Sequence, residues 1–335
     1  MSEETLPQSV DDARLAAGLR LASLALPRFG IEADAQLDPL PLSENVALSV
    51  SPRGRAPVVL RISRAQARTE GELRSELEWI NALRTQSAVP VAGVVATLDG
   101  RSVVTLEDPA TGQVYSLAVF EHVPGHEPDE AELPSVLPSL GRISAQLHEH
   151  SSQWQRPSWF TRGRWDLTAA FGPAPRWGDW RVGVPDPAQR RLLERTELVI
   201  CERLRKFGTG PDRFGLIHAD LRTANLLVDG DDCRVIDFDD CGFGWWLYDL
   251  ATALTFYENH PDCDEMIAAW IGGYREIRPL SDVDEAEIPT LLLFRRLLTL
   301  AFLAGNAEIA VSREMLPALP AQTCDLAESY LLRFG

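Results

Sequence analysis

The chain is nearly devoid of lysine. Lys206 stands alone against thirty-one arginines, so any role that needs a cationic side chain falls almost everywhere to arginine. Positive charge is short altogether: 32 basic against 49 acidic residues give a formal net charge of −17. A surface of that sign repels nucleic acid and anionic membranes and favours cationic ligands, although solubility alone would also account for it. Paired cysteines are missing. Cys201, Cys233, Cys241, Cys263 and Cys324 are odd in number and contain no C-x-x-C spacing, which argues against a disulfide framework and suits a reducing compartment. No uninterrupted apolar run approaches the roughly 18 residues of a membrane helix. Met1-Ser-Glu-Glu has neither the basic block nor the apolar block of a secretion signal, so the cytoplasm is the expected location. Internal repeats and low-complexity segments are also lacking. What remains, 335 residues with 45% apolar and 24% charged, is an ordinary globular composition long enough for two sub-domains.

Most of the chemistry gathers between residues 216 and 250. An apolar run ends in His218-Ala-Asp220, and Asn225 follows five residues after the aspartate. Leu226-Leu227-Val228, the turn Asp229-Gly230-Asp231-Asp232 and Arg234-Val235-Ile236 read as a β-hairpin, because Asp-Gly is a strong hairpin signal. The hairpin returns Asp237-Phe238-Asp239 beside the first loop. One carboxylate able to orient a hydroxyl, with a second carboxylate and an amide able to hold a hard divalent cation, is the minimal equipment for phosphoryl transfer. Asp and Asn also form plain turns, but apolar strands on both sides and a second Asp at the hairpin end are hard to obtain by chance.

His218-Ala-Asp220-Leu-Arg-Thr-Ala-Asn225 followed by Ile236-Asp237-Phe238-Asp239 resembles the catalytic and metal motifs of the aminoglycoside phosphotransferase family. That family has a protein-kinase-like fold and includes antibiotic, choline and homoserine kinases. Ala219 in place of Arg, and Asp239 in place of Gly, set the chain apart from eukaryotic protein kinases. The resemblance implies Asp220 as catalytic base, Asn225 and Asp237 as Mg²⁺ ligands and ATP as phosphoryl donor. His218, Asp239 and Asp249 are supporting residues, Asp249 by bracing the catalytic loop. Leu227 and Ile236, on the flanking strands, belong with the cofactor-binding residues.

The remainder fits an α+β, bilobal protein-kinase-like fold: a small β-rich N-lobe over residues 1–121 and a larger, mainly helical C-lobe over 122–335, with ATP expected in the cleft between them. A helix is expected over 9–26, strands over 35–40, 45–50 and 57–62, a helix over 69–86, strands over 102–106 and 114–120, and helices over 132–150 and 188–207. After Asp249 the chain reads as helical to its end. In Val58-Val59-Leu60-Arg61-Ile62, Arg61 occupies the place of the kinase lysine that clamps the phosphates. A strand arginine facing outward is the alternative. Glu76 shares an apolar helix face with Leu73 and Ile80 and wants a cationic partner, for which Arg61 is suited, whereas Glu72 and Glu78 are expected nearer solvent. By the same resemblance Ser43 covers the phosphates, unless its turn is a plain β-turn. The Glu121 carbonyl and Val123 amide are expected to hold adenine.

Residues 151–187 hold five of the nine tryptophans, Trp154, Trp159, Trp165, Trp177 and Trp180. They read either as an acceptor-side insertion whose aromatic walls would take a cationic or sugar-like molecule, or as a packing plug. His148 is read as structural rather than metal-ligating, and Arg295 and Arg296 as facing solvent sooner than a pocket. The partner implied is a small hydroxyl acceptor, with no nucleic acid and no membrane, and the protein a monomer or homodimer. A bacterial Ser/Thr protein kinase and a non-catalytic nucleotide-binding regulator are the rival functions.

Overall fold

The computed structural model describes residues 10–41, 45–64, 68–230 and 232–335. It divides into two compact units. The first comprises the chain up to Gln86 together with Pro90–Pro124 and Arg156–Thr161, the second Ser87–Val89, Gly125–Gln155 and Arg162–Gly335.

The first unit is a sheet with a helix on either side of its central strand in sequence. After α1 (Val10–Ala25) come β1 (Gln36–Pro39), β2 (Val46–Ser51), β3 (Val58–Arg64), α2 (Glu70–Gln86), β4 (Val94–Val95), β5 (Val104–Glu107) and β6 (Val114–Glu121). The strands run in the order β1-β2-β3-β6-β4, with β5 also on β6, and all pairings are antiparallel. Val46, Leu48, Val50, Leu60, Ile62, Leu117 and Val119 alternate into one core with Leu21, Leu26 and Phe29, as period-two strands with one buried face require. A capping box starts α2: the Glu72 amide donates to Thr69 Oγ1 at 3.2 Å and the Thr69 amide to Glu72 Oε2 at 3.0 Å. Residues 156–161 pack on that helix, with the Arg74 guanidinium 3.6 Å from the Trp159 ring centroid and the Thr161 amide on Ser75 Oγ at 2.9 Å.

The second unit holds α3 (Leu133–Gln153), β7 (Arg164–Trp165), α4 (Leu167–Phe171), α5 (Pro187–Phe207), β8 (Phe214–Ile217), β9 (Leu226–Asp229), β10 (Asp232–Val235), β11 (Gly242–Trp245), α6 (Tyr248–Ala253), α7 (Cys263–Arg275), α8 (Asp282–Glu285), α9 (Ile288–Gly305), α10 (Ala310–Met315) and α11 (Leu319–Phe334). The antiparallel hairpin β9–β10 turns at Gly230, whose φ of +62° suits the Asp-Gly signal. A short sheet, β7-β11-β8, lies beside it. Helices α3 and α7 cross at two glycines. A Cβ on Gly141 would stand 2.0 Å from the Trp270 carbonyl oxygen, and one on Gly273 would stand 1.9 Å from that of Pro138. His148, on the same helix α3, is fully buried.

Helix α9 departs from the sequence expectation. Together with α8 it makes a stretch, Asp282–Gly305, with the length and mean hydropathy (1.5) of a membrane span, but 72% of its most apolar window is buried within the protein. Arg295 and Arg296, expected to reach solvent, are 4% and 1% exposed. Burial of two guanidinium groups on an apolar helix requires partners. Arg296 finds Glu258 at 2.7 Å and Thr323 at 3.1 Å, while Arg295 turns to the catalytic loop. The five cysteines are free, four of them buried and Cys263 partly so.

Candidate active site

Strand β8 ends at Ile217 and the chain enters a loop bent by Ala219, whose φ is +68°. The helix after β11 imposes that bend. Asp249 on α6 accepts from the amides of His218 (3.2 Å) and Ala219 (2.7 Å), and Thr252 Oγ1 accepts from the Leu221 amide (2.9 Å). Strain at a non-glycine residue persists only where its surroundings hold it, and here two side chains of one helix do so. Asp249 is held in turn by His148 Nε2 at 2.9 Å, and His148 Nδ1 meets the Tyr274 hydroxyl at 2.9 Å. Burial pushes the His148 imidazole below its usual pKa, against the pull of Asp249. The neutral ring therefore donates from Nε2 and accepts at Nδ1. His218 is likewise held neutral by burial; its Nε2 donates to the Ile236 carbonyl at 3.1 Å and its Nδ1 accepts from the Asp220 amide at 3.3 Å. Both histidines are structural.

The Asp220 carboxylate is the hub. Oδ1 accepts from Arg295 Nη2 at 2.8 Å, and Oδ2 accepts from Asn225 Nδ2 at 2.7 Å and Arg222 Nε at 3.1 Å. Burial works against ionisation, but Arg222 and Arg295 outweigh it and hold the group below the ordinary carboxylate range. Arg295 also reaches Thr255 and Tyr248, and its guanidinium lies 5.1 Å from the Trp177 ring. Its burial disfavours the charge, yet neighbouring Tyr248 and Asp220 raise its pKa overall.

Asn225 spends Nδ2 on Asp220, on both the side chain and the backbone carbonyl (2.8 Å), so its amide oxygen lies on the opposite side. The hairpin brings Asp237 alongside. The Ile236 amide donates to the Asn225 carbonyl at 3.0 Å, and Asp237 takes φ +58°. Among the described residues no cluster of three or more His, Cys, Asp or Glu side chains would enclose a metal. One carboxylate and one amide oxygen instead match Mg²⁺, which keeps waters and relies on substrate phosphates. The Asp239 amide approaches Asp237 Oδ1 at 3.4 Å, and the Asp239 carbonyl accepts from Arg162, so this aspartate shapes the loop. Leu227 and Ile236 are half-buried on the hairpin.

Within the first unit, Arg61 and Glu76 meet in a two-point ion pair, Nη1 to Oε1 at 2.7 Å and Nη2 to Oε2 at 2.9 Å, with Glu76 fully buried. Glu72 and Glu78 are half-buried. The Glu121 amide donates to the Gly93 carbonyl at 2.8 Å and its side chain pairs with Arg84; Val123 is half-buried nearby in sequence. Ser43 lies outside the described residues. The tryptophans divide by role. Trp165 and Trp180 are buried with their indole N–H groups on the Asp240 carbonyl (2.8 Å) and Glu197 (2.7 Å), a packing role. Trp177 is half-buried between Trp165, Phe302 and Arg295. Sequence inspection missed Arg222 and Arg295 as partners of Asp220. The available signal was the cost of an arginine in an apolar helix, which points to a buried carboxylate.

A kinase-like fold with this loop and hairpin defines a phosphotransferase. Residues 42–280 match the phosphotransferase enzyme family, and the chain belongs to it. A solved structure of a microcompartment-associated aminopropanol kinase is 42% identical, with a TM-score of 0.86, over 94% of this chain and 98% of that one. The amicoumacin kinase of Bacillus subtilis (strain 168) is 27% identical over 82% of this chain and 81% of its own. An amicoumacin kinase solved with AMP-PNP and Ca²⁺ shares the fold, with a TM-score of 0.76 at 22% identity, over 94% of this chain and 95% of that one. The protein is an enzyme, an ATP-dependent kinase of a small-molecule hydroxyl.

Proposed function

We propose that the protein transfers the γ-phosphoryl group of Mg-ATP to the hydroxyl of a small amino alcohol. The observation that carries this reading is the fixed Asp220 carboxylate, bonded to the Asn225 amide nitrogen five residues on, with the Asn225 backbone tied to the hairpin that bears Asp237. Asp220 orients the acceptor hydroxyl and takes its proton as the P–O bond forms. Its depressed pKa makes it a weak base, which suits a loose transition state in which the nucleophile needs little activation. Asn225 and Asp237 hold Mg²⁺, which neutralises phosphate charge when bound. Arg61, braced by Glu76, clamps the phosphates, and the Glu121 carbonyl, Val123, Leu227 and Ile236 take the adenine side. The amino-alcohol class is supported by the 42% identity to an aminopropanol kinase. We place the enzyme in the cytoplasm as a monomer or homodimer.

Calorimetry with Mg-ATP and an acceptor screen test the proposal. Wild type binds Mg-ATP and phosphorylates aminopropanol in preference to homoserine, choline and an aminoglycoside. Asp237→Ala loses the Mg²⁺ dependence of nucleotide binding. Asp220→Asn keeps binding and loses about 10³-fold in kcat. Absence of nucleotide binding by wild type, with or without Mg²⁺, would defeat the reading; phosphorylation of a protein substrate alone would redirect it to a protein kinase.

A further inference from the structure

We propose that Arg222 is a catalytic residue in its own right, an arginine supplied by the catalytic loop itself that contacts the phosphoryl group in flight and stabilises its transition-state charge. The inference rests on the kinase reading above and adds a residue to it.

Arg222 opens the short turn Thr223–Asn225 with an extended backbone (φ −70°, ψ 164°), and its carbonyl accepts from the Asn225 amide at 2.9 Å. The side chain folds back so that Nε reaches Asp220 Oδ2 at 3.1 Å. That contact uses one of five N–H donors. Among the described residues the Nη1 and Nη2 groups have no partner, and the side chain is 34% exposed. Arg295, on the other oxygen of the same carboxylate, is the contrast: its side chain is 5% exposed and spends Nε, Nη1 and Nη2 on Thr255, Tyr248 and Asp220. Arg295 is thus a positioning residue, committed to holding Asp220. Arg222 is anchored at one atom and keeps its planar fork open.

The place of that fork is chemically defined. Arg222 lies on the turn that joins the acceptor-orienting carboxylate to the metal side: its Nε holds Asp220 at 3.1 Å, its carbonyl accepts from the Asn225 amide at 2.9 Å, and the Asn225 carbonyl in turn accepts from the Ile236 amide, next to Asp237. In the transfer, the bond from Pγ to the ADP oxygen breaks, a bond from Pγ to the acceptor oxygen forms, and the acceptor proton passes to Asp220. The phosphoryl group crosses between those two carboxylates while its charge spreads over three equatorial oxygens. A planar cation with two free donors fits such oxygens in pairs. Lysine cannot fill the place, since Lys206 lies exposed on α5.

The test uses full-length wild type, Arg222→Ala and Arg222→Lys, with Mg-ADP binding measured in the absence and presence of aluminium fluoride, a mimic of the phosphoryl group in flight. Wild type should bind Mg-ADP about 100-fold more tightly with the fluoride. Arg222→Ala should bind plain Mg-ADP within about 3-fold of wild type but lose at least about 10-fold of that tightening. Its kcat should fall about 100-fold or more with a small change in the KM for ATP, and Arg222→Lys should recover part of both. Equal tightening in Arg222→Ala and wild type would overturn the role while leaving the kinase reading intact. Loss of plain Mg-ADP binding in both variants would overturn it in favour of a structural anchor. Failure of wild type to bind Mg-ADP would remove both proposals together.

Discussion

Arg61 and Glu76 form a charge pair that neither residue could survive alone. Glu76 is fully buried and Arg61 is 7% exposed, so truncating the arginine strands a carboxylate in the core. Arg61→Ala should destabilise the protein by about 3–5 kcal/mol in a denaturant titration, beyond any loss of nucleotide affinity, whereas Arg61→Lys, which keeps a cation, should cost less than half as much. The two histidines give a second residue-scale expectation. His148 and His218 have pKa values lowered by burial from 6.5, so the unfolded chain binds more protons than the native one below that pH. Their contribution is fully present above pH 6.5 and is lost as pH falls through their native values. Stability should therefore drop between pH 7 and 5.5 with a slope approaching about 1.4 kcal/mol per pH unit for each histidine, and His148→Gln should flatten it by about half. At this scale the sequence was legible where a charged side chain sat on a face that betrayed it. Glu76 aligned with Leu73 and Ile80, and Arg61 stood inside an apolar strand. It failed at Arg295, because an arginine between Phe294 and Arg296 in a leucine-rich helix reads equally well as a side chain stretched to water, and its partner Asp220 is 75 residues away.

The elements were legible because each carries its own punctuation, and boundaries fell within a few residues wherever a cap, a proline or Asp-Gly marked them. What no local pattern conveys is which helix crosses which. The α3–α7 contact is set by Gly141 and Gly273, far apart in sequence and unremarkable in either helix alone. Gly141→Ala places a methyl group 2.0 Å from a backbone oxygen, and backbone cannot move aside as a side chain tip can. The helices must separate, and overpacking of that kind costs about 1–3 kcal/mol or more. The functional consequence follows from the chain of contacts: α3 carries His148, α7 carries Tyr274, and the two share the hydrogen bond that steadies Asp249. Gly141→Ala should thus lower Tm by several degrees and also lower kcat, while Gly272→Ala, at a position with open space around it, should leave both unchanged.

Charge is the property of the whole molecule that composition states outright, and its consequence for the reaction runs in two directions. The formal net charge of −17 opposes the approach of Mg-ATP, itself an anion, and favours a cationic amino alcohol. Close to the reacting atoms the charges are paired: Arg222 and Arg295 flank Asp220, and both carry pKa values raised by it. The long-range part of this arrangement is screened over a Debye length of about 8–10 Å at physiological ionic strength, whereas the buried contacts are screened far less. Raising NaCl from about 20 mM to about 150 mM should therefore increase kcat/KM for Mg-ATP by a few fold, decrease kcat/KM for the cationic acceptor by a similar factor, and leave kcat nearly constant. Steady-state kinetics with each substrate varied at both salt concentrations separates these effects. If the two specificity constants moved in the same direction, the acceptor would share the sign of the nucleotide, and a carboxylate-bearing hydroxyl compound would replace the amino alcohol as the class to screen.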